Sequence, residues 1–223
     1  MQTLLSSSYK AVLFDMDNTL FDFYSCMRAG CEAAVSVLGC GTPEELYSYS
    51  FRGRHSIEDH MNLQDFMNAH ECFSIPLYFK TVSAFDEAKL NALVPYAGIR
   101  EVLSVLKEKK YLLGLITDAY TYMADERLKK TGLADFFDVR VGYDTTGYKK
   151  PHLAPFECAL DMLNCKPEEA VLVGDSVRRD IGPATAVGIT AIHARYGDVH
   201  ENLYQPKLAV DSPKEILKML KIE

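Results

Sequence analysis

Lys10-Ala11-Val12-Leu13-Phe14-Asp15-Met16-Asp17-Asn18-Thr19 is an apolar run that ends on two acids spaced by one residue. Apolar residues without polar alternation suit a strand covered on both faces, and the abrupt charge marks where that strand leaves the core. The pattern returns at 111–117 (YLLGLIT) and 170–175 (AVLVGD), and more weakly at 189–193 (ITAIH); 136–141 supplies one further short strand. Helical stretches separate these runs. The stretch 98–109 places Ile99, Val102, Leu103 and Leu106 on one face, and 155–163 and 181–187 read as crossovers. Ser212-Pro213-Lys214-Glu215 has the form of a capping box with proline at the first helical position, which predicts a C-terminal helix. Apolar strands alternating with helices predict an α/β fold built on a doubly wound parallel sheet.

One stretch breaks the rhythm. Residues 22–95 contain helix-like segments at 23–38, 43–50, 56–70 and 76–93, with no clear strand, and Thr42-Pro43-Glu44-Glu45 caps one of them. The expected organisation is therefore a core of 1–21 and 96–223 with an all-helical domain inserted at 22–95.

Composition narrows the function classes. The 223 residues include 24 Lys and Arg against 31 Asp and Glu, a net charge of -7, which is the wrong sign for a nucleic-acid footprint. An acidic protein that handles phosphate needs a local positive centre, such as a metal. No apolar run approaches the roughly 20 residues of a membrane span, and Met1-Gln2-Thr3-Leu4-Leu5-Ser6 lacks the basic and apolar regions of a signal peptide. Six cysteines are scattered without a CxxC pair, so neither a disulfide framework nor a zinc site is expected, and reduced thiols fit a cytoplasmic location.

In open parallel sheets, ligands bind beyond the carboxyl ends of the strands. Those ends carry Asp15 and Asp17, then Thr117-Asp118, then Lys149-Lys150-Pro151, then Gly174-Asp175-Ser176-Val177-Arg178-Arg179-Asp180. A carboxylate is a weak nucleophile, but a metal and a lysine can hold a phosphoryl group in line with it. Of Asp15 and Asp17, one can attack while the other transfers protons. Clustered carboxylates suit Mg²⁺, a hard ion that favours oxygen. Lys150 adds fixed charge against phosphoryl oxygens, and the Thr117 hydroxyl can donate to another.

These four segments resemble the haloacid dehalogenase superfamily, whose signature is DxDx[TV], a Ser or Thr after the second strand, a Lys, and an acidic motif such as GDSxxxD. Here they read DMDNT, LLGLITD, GYKKP and VLVGDSVRRD, in family order. The resemblance implies a Rossmann-like sheet of order 5-4-1-2-3 with a helical cap of the C1 type. It implies Asp15 as nucleophile and Asp17 as general acid/base. Magnesium would be held by Asp15, the Asp17 backbone carbonyl and Asp175, with Asp180 in support, and Thr117 and Lys150 would contact the phosphoryl group. Lys150 is preferred to Lys149 because the family places lysine directly before proline. Asn18 stands where many members have glycine. A dehalogenase would lack the second acid, so Asp17 favours phosphate chemistry.

The basic loop Phe51-Arg52-Gly53-Arg54-His55 offers Arg52 and Arg54 for a substrate carboxylate or second phosphate, or is a solvated loop. Asp118 is a further substrate-side candidate. His60, His70 and His193 read as structural. The leading reading is a magnesium-dependent phosphatase acting on small phosphorylated metabolites through an aspartyl phosphate, as a monomer or homodimer. The alternatives are a phosphomutase of the β-phosphoglucomutase type and a non-catalytic phosphate-binding or regulatory protein.

Overall fold

The computed structural model describes residues 9–200 and 204–222, so the N-terminal stretch read above for a targeting signal lies outside the described residues. The chain divides into two compact units. One comprises the described residues up to Asp22 and from Val94 onward, and the other is Phe23–Leu93.

In the first unit, β1 (Ala11–Phe14), β2 (Leu112–Ile116), β3 (Val139–Val141), β4 (Ala170–Gly174), β5 (Thr190–Ala194) and β6 (Ala209–Val210) form one sheet of order β3-β2-β1-β4-β5-β6. Every pairing is parallel. The sheet has the strand order expected for the first five strands, plus an edge strand, β6, too short for the sequence pattern to reveal. β1 is central: Phe14 pairs with Leu115 on one side and Val173 on the other. All four of its residues are fully buried, which is why the strand is apolar throughout.

The second unit is helical: α1 (Phe23–Leu38), α2 (Pro43–Tyr49), α3 (Met61–Ala69) and α4 (Ile75–Asn91). Phe23, Met27, Cys31 and Ala34 form a stripe on α1 that packs with Leu46, Leu63, Phe66 and Phe85. Gly30 completes the stripe, since a Cβ there would come within 2.9 Å of the Phe85 ring. Thr42 Oγ1 accepts from the Glu45 N–H at 3.2 Å, as the capping motif predicts. α3 starts later than the predicted residue 56, because the Asp59 carboxylate accepts from the Met61 N–H at 2.9 Å and opens the helix there.

Around the sheet lie α5 (Ile99–Glu108), α6 (Thr121–Thr131), α7 (Tyr143–Thr146), α8 (Ala154–Leu163), α9 (Gly182–Val187) and α10 (Glu215–Met219). Phe156, Leu160 and Leu163 of α8 pack with Leu13, Ile116 and Leu172 of the strands. Burying one such side chain is worth about 1.5–3 kcal/mol. The expected capping box at Ser212 is not the one formed. Glu215 Oε2 accepts from the Asp211 N–H at 2.9 Å, and Pro213 lies in a turn before the helix. Among the described residues, no helix is long and apolar enough to cross a membrane.

Asp138, just before β3, ties three elements together. It accepts from Lys107 Nζ of α5 at 2.7 and 2.9 Å and from the Leu113 N–H of β2 at 2.8 Å. Partial burial raises its pKa, but Lys107 and the Leu113 N–H outweigh that and hold it below the usual carboxylate range. A depressed folded pKa contributes stability above the unfolded value of about 3.9, and that stability is lost as pH falls through the folded value. Asp138→Asn should therefore melt about 2–4 °C below wild type at pH 7, with the gap narrowing below about pH 4. Melting curves across pH check this; a gap that stays constant down to strong acid contradicts it.

Candidate active site

Asp15 extends β1 by one residue, its N–H donating to Val173 O at 2.9 Å. The chain then turns sharply, with the Leu20 N–H on Met16 O at 2.8 Å. Asn18 sits in this turn at φ 62°, a left-handed conformation that asparagine and glycine tolerate best. Thr19 Oγ1 donates to Asp15 Oδ2 at 3.1 Å, which fixes the carboxylate's rotamer. The segment after β5 closes over the turn. Tyr196 O–H donates to Thr19 O at 2.9 Å, and a Cβ on Gly197 would fall 1.6 Å from Asn18 O.

Lys150 is the centre of the site. Its ammonium donates to Asp15 Oδ1 through a short contact, to Asp180 Oδ1 at 2.6 Å and to Ile116 O at 3.3 Å. Asp118 Oδ1 accepts from the Lys150 N–H at 2.8 Å, and Asp118 Oδ2 accepts from Arg179 at 3.1 Å. Lys149 is exposed, its Nζ 5.4 Å from the centre of the Tyr143 ring. Thr117 Oγ1 accepts from the Ala119 N–H at 3.2 Å, an arrangement that leaves its O–H proton for a further acceptor. Beyond β4, Val177–Ile181 forms a π-helical turn that swings Asp180 back over the strand end. Asp180 comes so close that a Cβ on Gly174 would lie 2.6 Å from its own Cβ.

Asp15, Asp175 and Asp180 are all buried, and each offers a carboxylate oxygen within 4.8 Å of the others. Among the described residues, Asp175 Oδ1 is buried with no hydrogen-bond partner. Its own burial, together with the negative charge of Asp15 and Asp180, pushes the Asp175 carboxyl up to about 9. Burial works against the Lys150 ammonium, but Asp15, Asp180 and Asp118 outweigh it and hold its pKa above the ordinary lysine value. Three carboxylates against one ammonium, one of them with an orphaned oxygen, make a hard, oxygen-only donor set that suits a divalent cation. His193 supports it from behind. Its Nε2 lies 2.9 Å from Asp175 O and 2.8 Å from Asp198 Oδ2, both acceptors, so Nε2 carries the proton.

Asp17 points elsewhere: both of its carboxylate oxygens accept from Arg127 of α6 at 2.9 Å. The sequence reading missed this arginine, although it lies on the buried stripe Ala124, Arg127, Leu128 and Thr131, where a cation needs a partner. Arg179, also missed, forms the pair with Asp118 described above. Arg52 and Arg54 belong to the helical unit, where they reach Asp65 at 3.0 and 3.1 Å with His55 at 3.2 Å. The single Asp65 carboxylate balances one of the two guanidinium charges. His60 and His70 likewise pair with Asp86 and Glu45.

Residues 12–194 match the family described as haloacid dehalogenase-like hydrolase. The chain belongs to that family. It is 34% identical over 194 residues to a glyceraldehyde 3-phosphate phosphatase of Methanothermobacter thermautotrophicus, covering 82% of this chain and 84% of the relative. It is 30% identical over 218 residues to a phosphoglycolate phosphatase of Chromobacterium violaceum, covering 95% and 96%. Among solved structures, a HAD phosphatase from Thermococcus onnurineus superposes with a TM-score of 0.71 at 26% identity, covering 96% of this chain and 99% of that one.

The Gly197 contact yields a test. Gly197→Ala forces a Cβ into the Asn18 carbonyl, and overpacking of this kind costs about 1–3 kcal/mol or more. It should lower Tm by roughly 5 °C or more, whereas Gly182→Ala, whose Cβ meets nothing nearer than 3.4 Å, should not. Equal melting of the two variants would mean that the loop after β5 does not clamp the turn.

Proposed function

We propose that this chain is a Mg²⁺-dependent phosphatase that hydrolyses small phosphate monoesters by way of an aspartyl phosphate on Asp15. One observation carries the reading: a buried lysine ion-paired to the first carboxylate after β1, beside two further buried carboxylates, one with an orphaned oxygen. Asp15, Asp175, Asp180 and the Asp17 backbone carbonyl would hold Mg²⁺. When bound, the ion supplies positive charge against the phosphoryl oxygens.

The chain's own groups do the rest. Asp15, fixed by Thr19 and Lys150, forms the O–P bond as the substrate's alkoxide leaves. Asp17 gives that alkoxide a proton, then takes one from the water that attacks phosphorus and frees Asp15. Arg127 Nη1, 2.9 Å from both Asp17 oxygens, keeps that carboxylate in one orientation two residues from the nucleophile. Lys150 and the Thr117 hydroxyl hold phosphoryl oxygens, and Asp118 positions Lys150 through its backbone N–H. In this reading the core of 1–21 and 96–223 carries the chemistry, and the helical insertion of 22–95 selects among esters. The two relatives are named for short phosphorylated metabolites, and we place this chain's substrate in that class, in the cytoplasm.

A panel of short-chain phosphate esters assayed with Mg²⁺ and with EDTA tests the class, and phosphate release should require the metal. Within it, Lys150→Ala should lose about 10²–10³ in kcat, as removal of one preorganised charge-stabilising donor does. Lys149→Ala should stay within about twofold. Equal loss from the two variants, or turnover that persists in EDTA, would overturn the assignment.

A further inference from the structure

The Cys40 and Cys72 sulfurs lie 3.1 Å apart although the residues are 32 positions apart in sequence. Both are half-buried, while Cys26, Cys31 and Cys165 are buried and the half-buried Cys158 sulfur faces Met162. The backbone holds this contact from both sides. Cys40 lies between Gly39 and Gly41, each at φ 69°, a left-handed conformation that side chains with a Cβ avoid. A Cβ on Gly41 would come within 2.3 Å of the Phe66 ring and 3.0 Å of His70 Nε2. The turn after α1 therefore lies directly on α3, and only glycine fits. The His70–Glu45 pair at 3.0 Å ties α2 to the end of the same helix. On the other side, the Cys72 N–H donates to Met67 O at 3.0 Å, with Glu71 at φ 53° completing a tight C-terminal cap on α3. Each sulfur is thus delivered by a rigid turn, not by a long loop.

From this geometry we propose that Cys40 and Cys72 are a modification site: a dithiol that a low-molecular-weight disulfide oxidises to an intramolecular disulfide stapling the helical unit. The thiolate of one cysteine attacks the small disulfide, forming a mixed disulfide and expelling one small thiol. The second cysteine attacks the mixed disulfide at the protein sulfur and expels the other. Two electrons pass to the oxidant, and the two cysteine protons end on the two released thiols. The closed loop spans α2 and α3, so the bond restricts the unfolded chain between Cys40 and Cys72. Burial and the neighbouring Cys72 push the Cys40 thiol up to about 11. Such a thiol is a slow attacking group at neutral pH. All six thiols are free in the structure, as expected from the sequence, whose spacing does not show which turns meet.

The test is equilibration of the intact protein in glutathione buffers of increasing oxidised fraction, acid quench, alkylation, and peptide mapping with trypsin and Glu-C. Cleavage after Glu32 separates Cys31 from Cys40. The expected result is one linked species lighter by two hydrogens, joining Cys40 to Cys72 and absent from Cys40→Ser and Cys72→Ser. Oxidation should raise Tm by roughly 5–10 °C in wild type alone, and dithiothreitol should reverse it. Recovery of both cysteines alkylated or separately glutathionylated in folded protein at the most oxidising buffer would overturn the site. A linked peptide with unchanged melting would overturn the staple.

Discussion

The buried ammonium of Lys150 is what allows three carboxylates to share one strand edge. At 4.8 Å, each pair of ionised carboxylates repels by about 3–4 kcal/mol at an effective dielectric of 20. Water cannot relieve this, since Asp15, Asp175 and Asp180 are buried. Lys150 pairs with two of them directly, and it does so because Asp118 holds its backbone while Arg179 balances Asp118. The parallel sheet is the device that makes this possible. β1 and β4 are adjacent and in register, so their last residues, one an acid and the other a glycine followed by an acid, leave the core side by side.

The remaining carboxyl group, Asp175, is the functional feature. Lys150 leaves Asp175 with an oxygen that no protein donor reaches, in an environment that raises its pKa. A protein selected for stability alone would remove such a group, because an unsatisfied buried carboxylate costs several kcal/mol. Its retention beside Asp15, the proposed nucleophile, is the pattern expected where charge is supplied from outside when the site is loaded.

Much of this was legible in the sequence because it is local. Apolar runs ending on acids placed β1, β2 and β4, and of the residues just beyond them Asp15, Asp118 and Asp180 meet at Lys150 while Asp17 turns to Arg127. What was not legible depends on pairing across distance. Arg127 reads as an ordinary helix-surface arginine until its stripe is seen to face Asp17, and Asp118 reads as a substrate-side acid, with nothing to show that it meets Lys150 and Arg179. His193 reads as a strand residue, with nothing to show that its ring supports the Asp175 carbonyl. β6 is two residues long, below what any period can reveal. The Ser212 box failed by one residue because Asp211 offered its N–H to Glu215 first.

A carboxylate oxygen of Asp15 is proposed to take the phosphoryl group, and the direct measurement is to catch it there. Rapid acid quench with substrate labelled at phosphorus should be run on wild type, Asp15→Asn and Asp17→Asn, followed by peptide mapping. The predicted result is a hydroxylamine-sensitive label on the peptide containing Asp15, longer-lived in Asp17→Asn when the leaving group needs no proton, and absent from an inactive Asp15→Asn. Label on another residue, or normal turnover by Asp15→Asn, would contradict it.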